Sequence, residues 1–243
     1  MPDKELFKQH ISQQFNSELE EIRTQLLEMG GLVEKQINDA IVALIEGDAK
    51  LAEQVREKDD AINQMELDID QECMRILARR QPAASDLRLV ISISKIIVDL
   101  ERIGDEASKI ARRAIDLVEA GQAPKGYVEC RHIGHHVRRM VQEALDAFAR
   151  MDTDQAFSVA REDKSVDQEY KSAMREMITF MMEDPRSITR VLNILWVLRS
   201  LERVGDHARN VAEHVIYLVK GTDVRHIGLK RMEAEIRKEG KAE

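Results

Sequence analysis

The sequence of 243 residues is poor in the residues that strands and tight turns need. It contains 11 glycines and 4 prolines, and aromatic residues make up only 4% of it. A β-sandwich or a β-barrel requires frequent turn residues, and strands rich in aromatic and β-branched side chains. These shortages exclude an all-β fold.

Cysteine is also scarce, and long apolar runs are missing. The two cysteines, Cys73 and Cys130, are too few for a disulfide framework, and we recognise no secretory signal, which together favour a reducing cytoplasm. The longest apolar stretch, residues 87–100, is interrupted by polar and charged residues. It falls short of the roughly 18 to 20 apolar residues of a membrane span. We therefore expect a cytoplasmic protein.

An excess of positive charge is missing as well. The chain has 37 Lys and Arg residues against 45 Asp and Glu residues, which gives a net charge of −8. Proteins that bind the phosphate backbone of nucleic acids or anionic lipids carry basic surfaces, so we expect no nucleic-acid partner. Apolar residues make up 43% of the chain and charged residues 34%, which excludes a disordered chain.

Helix-breaking residues divide the chain into long segments that are nearly free of Gly and Pro. The breaks lie near residues 47–48, 81–82, 121–126, 151–154, 184–185 and 221. Four residues beside these breaks are suitable N-caps, namely Asp48, Ser85, Asp152 and Ser187. The pattern predicts an all-α fold of six long antiparallel helices.

An internal repeat divides the predicted helices into two sets of three. A shift of 104 residues pairs Asp59 with Asp163, and a shift of 101 pairs residues 101–105 with residues 202–206. The repeat predicts two pseudo-symmetric three-helix bundles, at residues 1–121 and 122–221, joined by a linker near 121–126. The remaining residues, 222–243, are highly charged and are expected to form a mobile C-terminal tail.

The repeated segment Glu-Arg-(Ile/Val)-Gly-Asp places two carboxylates on one helix face in each half. Glu101 and Asp105, like Glu202 and Asp206, are four residues apart and lie roughly 170° from the apolar seam of their helix. The simplest interpretation is a face that contacts water. Two features count against it: like charges at this spacing repel each other, and a glycine inside a helix costs up to about 1 kcal/mol.

A second set of acids interrupts apolar seams. Asp59 and Asp163 replace apolar residues at equivalent positions, and Asp167 follows one turn after Asp163. A carboxylate in a seam needs a partner, because an unpaired buried charge is costly. The partner is either Arg102 or Arg203 in a salt bridge, or a hard metal ion such as Mg²⁺, Mn²⁺, Ca²⁺ or iron. The spacing leaves open whether the two sets of acids form one site.

Weaker metal motifs and an enzymatic alternative also remain. His132, His135 and His136 are candidate zinc ligands, although such a cluster is usually solvated. Glu129 and His132 have the Glu-x-x-His spacing of di-iron proteins, but a ferritin-like site needs two such motifs and two more glutamates. No phosphate-binding loop or dinucleotide-binding motif is present. The enzymatic alternative is therefore a metal-dependent hydrolase or a di-iron enzyme on a helical bundle.

The repeated Leu-Glu-Arg-(Ile/Val)-Gly-Asp segment closely resembles the PhoU family of bacterial phosphate-transport accessory proteins. Further stretches match the same family, at residues 10–15, 79–90, 145–151 and 181–184. The resemblance implies a fold of two three-helix bundles and metal binding at Glu/Asp-x-x-x-Asp motifs. In this chain those motifs fall on Glu101 with Asp105 and on Glu202 with Asp206.

The resemblance also implies that the second motif is the more complete. The family extends it by an Asn and a Glu, here Asn210 and Glu213, whereas the first motif has Lys109 and Arg112 at those positions. Together with the seam acids of the second half, this gives the predicted metal ligands: Glu101, Asp105, Asp163, Asp167, Glu202, Asp206 and Asn210. The expected cofactors are divalent or trivalent ions of Mg, Mn, Fe or Zn.

The function that the resemblance implies is regulatory rather than enzymatic. PhoU-like proteins restrain phosphate uptake and the phosphate-starvation response. They act between the ATPase subunit of a phosphate ABC transporter and a membrane sensor histidine kinase, so this chain is expected to reach a membrane only through its partners. The start of the sixth predicted helix, residues 191–196, is apolar on nearly all sides, which indicates either deep packing between the two halves or a dimer contact, and of these we expect a homodimer.

Overall fold

A computed structural model describes residues 13–121 and 127–237 of the chain. Those residues form eight α-helices and no strand, so the all-α prediction is confirmed for them. No helix within these two ranges is long and apolar enough to cross a bilayer. The helices are α1 (Gln13–Glu46), α2 (Ala49–Glu57), α3 (Asp59–Arg80), α4 (Ala84–Glu119), α5 (Val128–Arg150), α6 (Thr153–Glu183), α7 (Ile188–Lys220) and α8 (Leu229–Arg237), with one 3₁₀ turn at Pro185–Ser187.

The second of the six predicted helices is divided in two. Helix α2 ends at Glu57 and α3 begins at Asp59, whereas the equivalent α6 is continuous. At the break, Gln36 Nε2 donates to the Val55 carbonyl at 3.2 Å. In an uninterrupted helix, that carbonyl would accept from the backbone amide of Asp59. A side chain of α1 therefore bonds a backbone group that the helix break leaves free.

Two of the four predicted N-caps form side-chain caps. The carboxylates of Asp48 and Asp152 accept from the first amides of α2 and α6. Ser85 lies inside α4 instead, because that helix begins at Ala84, two residues before the start that a cap at Ser85 requires. Ser187 precedes α7, but its hydroxyl donates to the carbonyls of the preceding turn and makes no cap. The capping predictions for these two serines are wrong.

Helices α4 and α7 lie at the centre of the fold. Helix α4 packs against α1, α2 and α3, helix α7 packs against α5 and α6, and the two central helices pack against each other. Their predicted apolar seams are buried, which confirms the seam assignment: Ile96, Leu100, Ile103, Ala107, Ile110, Ala114 and Leu117 in α4, and Val197, Leu201, Val204, Ala208, Val211, Val215 and Leu218 in α7. The two repeats therefore meet through their last long helices.

The segment after α7 is more ordered than its charge suggests. Residues Leu229–Arg237 form α8, which packs against α6 and α7. Met232 and Val224 are fully buried and Ile236 is nearly so, since the apolar residues of α8 share one helix face. The expectation of a mobile tail is wrong for residues 229–237. Residues 122–126 of the predicted linker and residues 238–243 lie outside the described residues.

Candidate functional site

Four carboxylates gather between α6 and α7. Glu202 is buried on α7 and Asp206 lies one turn further on, while Asp163 and Asp167 follow one another along α6. Burial raises the pKa of Glu202, and the negative charge of Asp206 raises it further. Burial also raises the pKa of Asp206, with added repulsion from Asp163 and Asp167. These four residues form one interacting group, which we name the α6–α7 acidic cluster.

An equivalent group lies between α3 and α4. Burial raises the pKa of Glu101, and the charges of Asp105, Glu66 and Asp59 raise it further. We name these four residues the α3–α4 acidic cluster. Sequence reasoning did not select Glu66 as a site residue, although it lies seven residues after Asp59 and hence on the same helix face. The seam acids and the motif acids, whose relation the spacing left open, thus come together in both repeats.

In the first repeat, the seam acid has an amide partner. Gln36 Nε2 donates to Asp59 Oδ1 at 3.0 Å, in addition to its bond to the Val55 carbonyl. The alternative of a salt bridge to Arg102 is wrong, because Arg102 is exposed and forms no salt bridge with Asp59 in the described part of the chain. Because Gln36 is a neutral amide, this hydrogen bond adds no positive charge beside Asp59.

In the second repeat, the seam acid has an arginine partner, but a different one from that expected. Arg209 Nη1 donates to Asp163 Oδ2 at 3.0 Å, and Arg209 Nε donates to Glu213 Oε1 at 2.9 Å. Arg203 instead pairs with Glu106 on α4 at 2.9 Å. The predicted pairing of Asp163 with Arg203 is wrong because Arg203 points toward α4 and Arg209 toward α6.

Asn210 is turned away from the acidic clusters. Its Nδ2 donates to Asp99 Oδ1 at 3.1 Å across the contact between α4 and α7. His207 Nδ1 lies 2.8 Å from the same oxygen, and His214 Nε2 lies 3.8 Å from the other. Burial lowers the pKa of His214 to about 4, so this ring is neutral at physiological pH. The predicted carboxylates of each repeat thus interact electrostatically, whereas Asn210 lies outside both clusters.

A family model described as the PhoU domain matches residues 26–114 and 130–215. The chain belongs to the PhoU family. The two matched ranges fall within α1 to α4 and within α5 to α7, which are the two repeats of the sequence.

Individual PhoU proteins are similar over nearly the whole chain. The phosphate-specific transport system accessory protein PhoU homolog of Pseudomonas aeruginosa is 71% identical over 236 residues, covering 97% of this chain and 98% of that protein. The Escherichia coli protein of the same name is 52% identical over 219 residues, covering 90% of each.

Two PhoU crystal structures share the fold. That of PhoU from P. aeruginosa has a TM-score of 0.83 at 72% identity, and covers 86% of this chain and 100% of that one. The phosphate transport system regulatory protein PhoU from Streptococcus pneumoniae has a TM-score of 0.79 at 35% identity, covering 86% of this chain and 99% of the other.

The PhoU motif residues have the donor chemistry of hard metal ions. Both acidic clusters offer carboxylate oxygens alone, the ligands that Mg²⁺, Mn²⁺ and Fe ions prefer. Glu202 Oε1 accepts from Arg199 Nη1 at 2.5 Å, but its buried Oε2 has no hydrogen-bond partner. Within residues 13–121 and 127–237, no three His, Cys, Asp or Glu side chains already converge as a metal cage. The residues fit the ions by chemistry, and their side chains would have to close around them.

Two of the three histidines that suggested zinc, His132 and His136, have carboxylate partners from α6. His136 Nδ1 lies 3.1 Å from Glu169 Oε1, and its Nε2 lies 3.1 Å from Glu162 Oε2. His132 is largely exposed, and its Nε2 lies 3.7 Å from Glu169. These contacts join α5 to its neighbour α6, so residue spacing along α5 alone could not reveal them.

The motif glycines have a packing role that differs between the repeats. A Cβ added at Gly104 would lie 3.0 Å from Gln36 Oε1, which is a tight contact. One added at Gly205 would lie 3.4 Å from Val166 Cγ1, an ordinary contact distance. The helix penalty at Gly104, which counted against a solvated face, therefore has a packing reason, because α1 approaches α4 closely there.

Proposed function

We propose that this chain is a cytoplasmic regulatory adaptor of a phosphate-specific transport system, which restrains phosphate uptake and the phosphate-starvation response. The observation that supports this most directly is identity of 71% and 52% to proteins named as accessory proteins of such a system, over at least 90% of the chain. The proposed partners are the ATPase subunit of a phosphate ABC transporter, a membrane sensor histidine kinase, and a second copy of this chain.

Exposed apolar side chains on α7 support docking to another protein. Ile188, Leu192 and Trp196 follow one another at four-residue steps and are 42%, 46% and 59% exposed. Such a row on one helix face is typical of a helix that packs against a partner. The neighbouring residues Val191 and Ile194 are already buried within the protomer, so the exposed row is the apolar side of this helix that the protomer leaves uncovered. We propose that this row contributes to the homodimer.

Metal binding by the two acidic clusters is the second part of the proposal. Each cluster holds four carboxylates, and burial, together with the repulsion among them, raises the pKa of Glu101, Glu202 and Asp206. A bound Mg, Mn, Fe or Zn ion would neutralise these charges and draw α3 toward α4 and α6 toward α7. The ions would thereby alter the surface that partners contact.

A gene replacement tests the role of the clusters. Replacing Glu101, Asp105, Glu202 and Asp206 by their amides should leave phosphate-starvation genes active even in high phosphate, as measured with a phosphate-responsive reporter. The matched control replaces four exposed acids of α1, namely Glu20, Glu21, Glu28 and Glu46, and should keep normal repression. Normal repression in the first strain, at native protein levels, would contradict the proposal.

A further inference from the structure

A basic cavity lies between α4 and α7, in the contact between the two repeats. It has a volume of about 330 Å³, and four of its seven lining residues are cationic in a chain of net charge −8. Neither acidic cluster includes it, and sequence spacing did not indicate it, because its residues come from two helices of different repeats. The lining residues are Glu106, Lys109, Arg113, Trp196, Arg199, Ser200 and Arg203.

A buried carboxylate holds two of the cations in place. Glu106 is only 2% exposed, and its Oε1 accepts from Lys109 Nζ at 3.0 Å and lies 2.9 Å from Arg203 Nη1 in a salt bridge. The cationic groups themselves remain accessible, since the side chains of Arg203 and Lys109 are about half exposed. Glu106 therefore positions both cations at the base of the cavity and leaves part of each group free to bind a ligand.

Carboxylates of the acidic clusters balance the remaining positive charge. Arg199 Nη1 lies 2.5 Å from Glu202 Oε1, and Lys109 Nζ lies 3.6 Å from Asp105 Oδ2. Glu202 belongs to the α6–α7 acidic cluster and Asp105 to the α3–α4 acidic cluster. Arg113 pairs outside the clusters, with Asp116. Four cations thus face four carboxylates, and neutralising Glu202 and Asp105 would leave a surplus of about two positive charges.

We propose that this cavity is an oxyanion site for a phosphate or a phosphoryl group, and that its affinity rises when Glu202 and Asp105 are neutralised. Guanidinium groups bind such oxyanions through paired, charge-assisted hydrogen bonds, which suits Arg113, Arg199 and Arg203. Metal ions are the natural neutralising agents only if the proposed function is correct. The coupling between the two carboxylates and the cavity is the same whichever agent neutralises the carboxylates.

The cavity is larger than a single phosphate needs, and an aromatic ring lies at its edge. Trp196 is 59% exposed, and the guanidinium carbon of Arg113 lies 5.9 Å from its ring centroid. The ligand is accordingly either free phosphate or a phosphoryl group carried by a nucleotide whose base stacks on the indole. Both ligands present the same phosphoryl oxygens to the cationic side chains. Comparing the affinity for inorganic phosphate with that for ADP distinguishes them.

The chain contains a single tryptophan, and its ring lines this cavity, so its fluorescence responds to binding there when the protein concentration, and with it the proposed dimer, is held constant. We expect sodium phosphate, titrated into the full chain with chelator at constant ionic strength, to change Trp196 emission saturably. Arg199→Ala should lower the phosphate affinity about tenfold, the effect of losing one charge-assisted hydrogen bond. Arg190→Ala, on the same helix but lining a different cavity, should leave the affinity unchanged.

Neutralising Glu202 tests the coupling. Glu202→Gln frees Arg199 while keeping the shape of the side chain, and should raise the phosphate affinity roughly two- to fivefold, the typical strength of one partly exposed ion pair. Mg²⁺ should have the same effect on the native protein. Equilibrium dialysis with labelled phosphate provides the affinities without relying on the tryptophan. A lower dissociation constant for ADP than for phosphate would identify the carried phosphoryl group, and equal or weaker binding would identify free phosphate.

The possible failures are distinguishable. Native affinity for phosphate in Arg199→Ala, or no saturable binding of phosphate or ADP, would overturn the oxyanion site. Unchanged affinity in Glu202→Gln would overturn the coupling. If Glu202→Gln strengthens phosphate binding while Mg²⁺ neither binds nor strengthens it, the oxyanion site and its coupling are supported and the metal part of the proposed function fails.

Discussion

Single residues in the acidic clusters have opposing roles in stability and in binding. Glu202 and Asp206 are four residues apart on one helix, and Asp163 and Asp167 face them from α6. Such repulsion destabilises the folded chain at neutral pH, because the unfolded chain separates the charges. The same repulsion favours any cation that binds the cluster.

Asp206→Asn should therefore stabilise the metal-free protein. Asp206 is suited to this test because no Lys or Arg of residues 13–121 and 127–237 forms a salt bridge with it, and one like-charge pair at this spacing costs about 0.2–0.5 kcal/mol. The folded-state pKa of Asp206 is raised above the ordinary 3.8, so the gain is complete at neutral pH. The gain in stability should shrink as the pH falls through the raised pKa of Asp206. It should vanish below 3.8, where Asp206 of the unsubstituted protein is protonated in both the folded and the unfolded state.

Urea unfolding in chelator, at neutral and at acid pH, measures this effect. The matched control is Asp116→Asn on α4, which removes a carboxylate paired with Arg113 and should give no gain. A lower free energy of unfolding for Asp206→Asn than for the native protein at neutral pH would contradict the account of repulsion.

The partners of individual side chains were the least predictable part of the site. Helical spacing places Asp59 and Asp163 on the seams, but it does not fix the height or rotation of one helix relative to the next. Gln36 and Arg209, which donate hydrogen bonds to these acids, lie on other helices. If either helix were shifted by one turn, a different side chain would lie beside the acid. The sequence of a single helix holds no information on that choice.

At the scale of helices, close approach at glycine fixes how neighbours pack. A Cβ added at Gly134 of α5 would lie 2.8 Å from Ile41 Cδ1 and 3.1 Å from its Cγ1. Ile41 is β-branched and almost fully buried in α1, so it has little freedom to move away. Gly134 therefore allows α1 and α5, which belong to different repeats, to pack directly against each other.

Alanine substitutions at two glycines should have opposite effects. Gly134→Ala should destabilise the protein by about 1–3 kcal/mol through overpacking, less the gain in helix propensity. Gly205→Ala is the matched variant, because it adds the same methyl group at an ordinary contact distance, and should stabilise the chain by up to about 1 kcal/mol. Thermal and urea unfolding give both values. Equal effects of the two substitutions would show that close packing at Gly134 is not the cause.

Helix type and helix ends were largely predictable, and short helices were not. The long segments nearly free of Gly and Pro form α1, α4, α5, α6 and α7, because their apolar periodicity extends over many turns. Helix α8 was missed because its charge is high and only three apolar residues mark its buried face. The break between α2 and α3 depends on Gln36 of α1, a contact that no local pattern contains.

At the scale of the whole molecule, the contact between α4 and α7 joins the acidic clusters of the two repeats to the basic cavity. Helix α4 contributes Asp105 and α7 contributes Glu202, and each acid contacts a cation that lines the cavity between those helices. The repeat in the sequence predicted two equivalent acidic groups. It could not predict the cavity, which exists only where one repeat meets the other.

The central claim is that the acidic clusters bind metal ions, and direct Mn²⁺ binding tests it. Protein purified without metal-affinity steps is titrated with Mn²⁺, and the free ion is followed by its electron paramagnetic resonance signal. We predict that the native chain binds Mn²⁺ and that the Glu202→Gln, Asp206→Asn double variant loses the sites of one cluster. The Glu20→Gln, Glu21→Gln variant should bind as the native chain does. A free-ion signal unchanged by native protein, or identical binding by all three proteins, would contradict the claim.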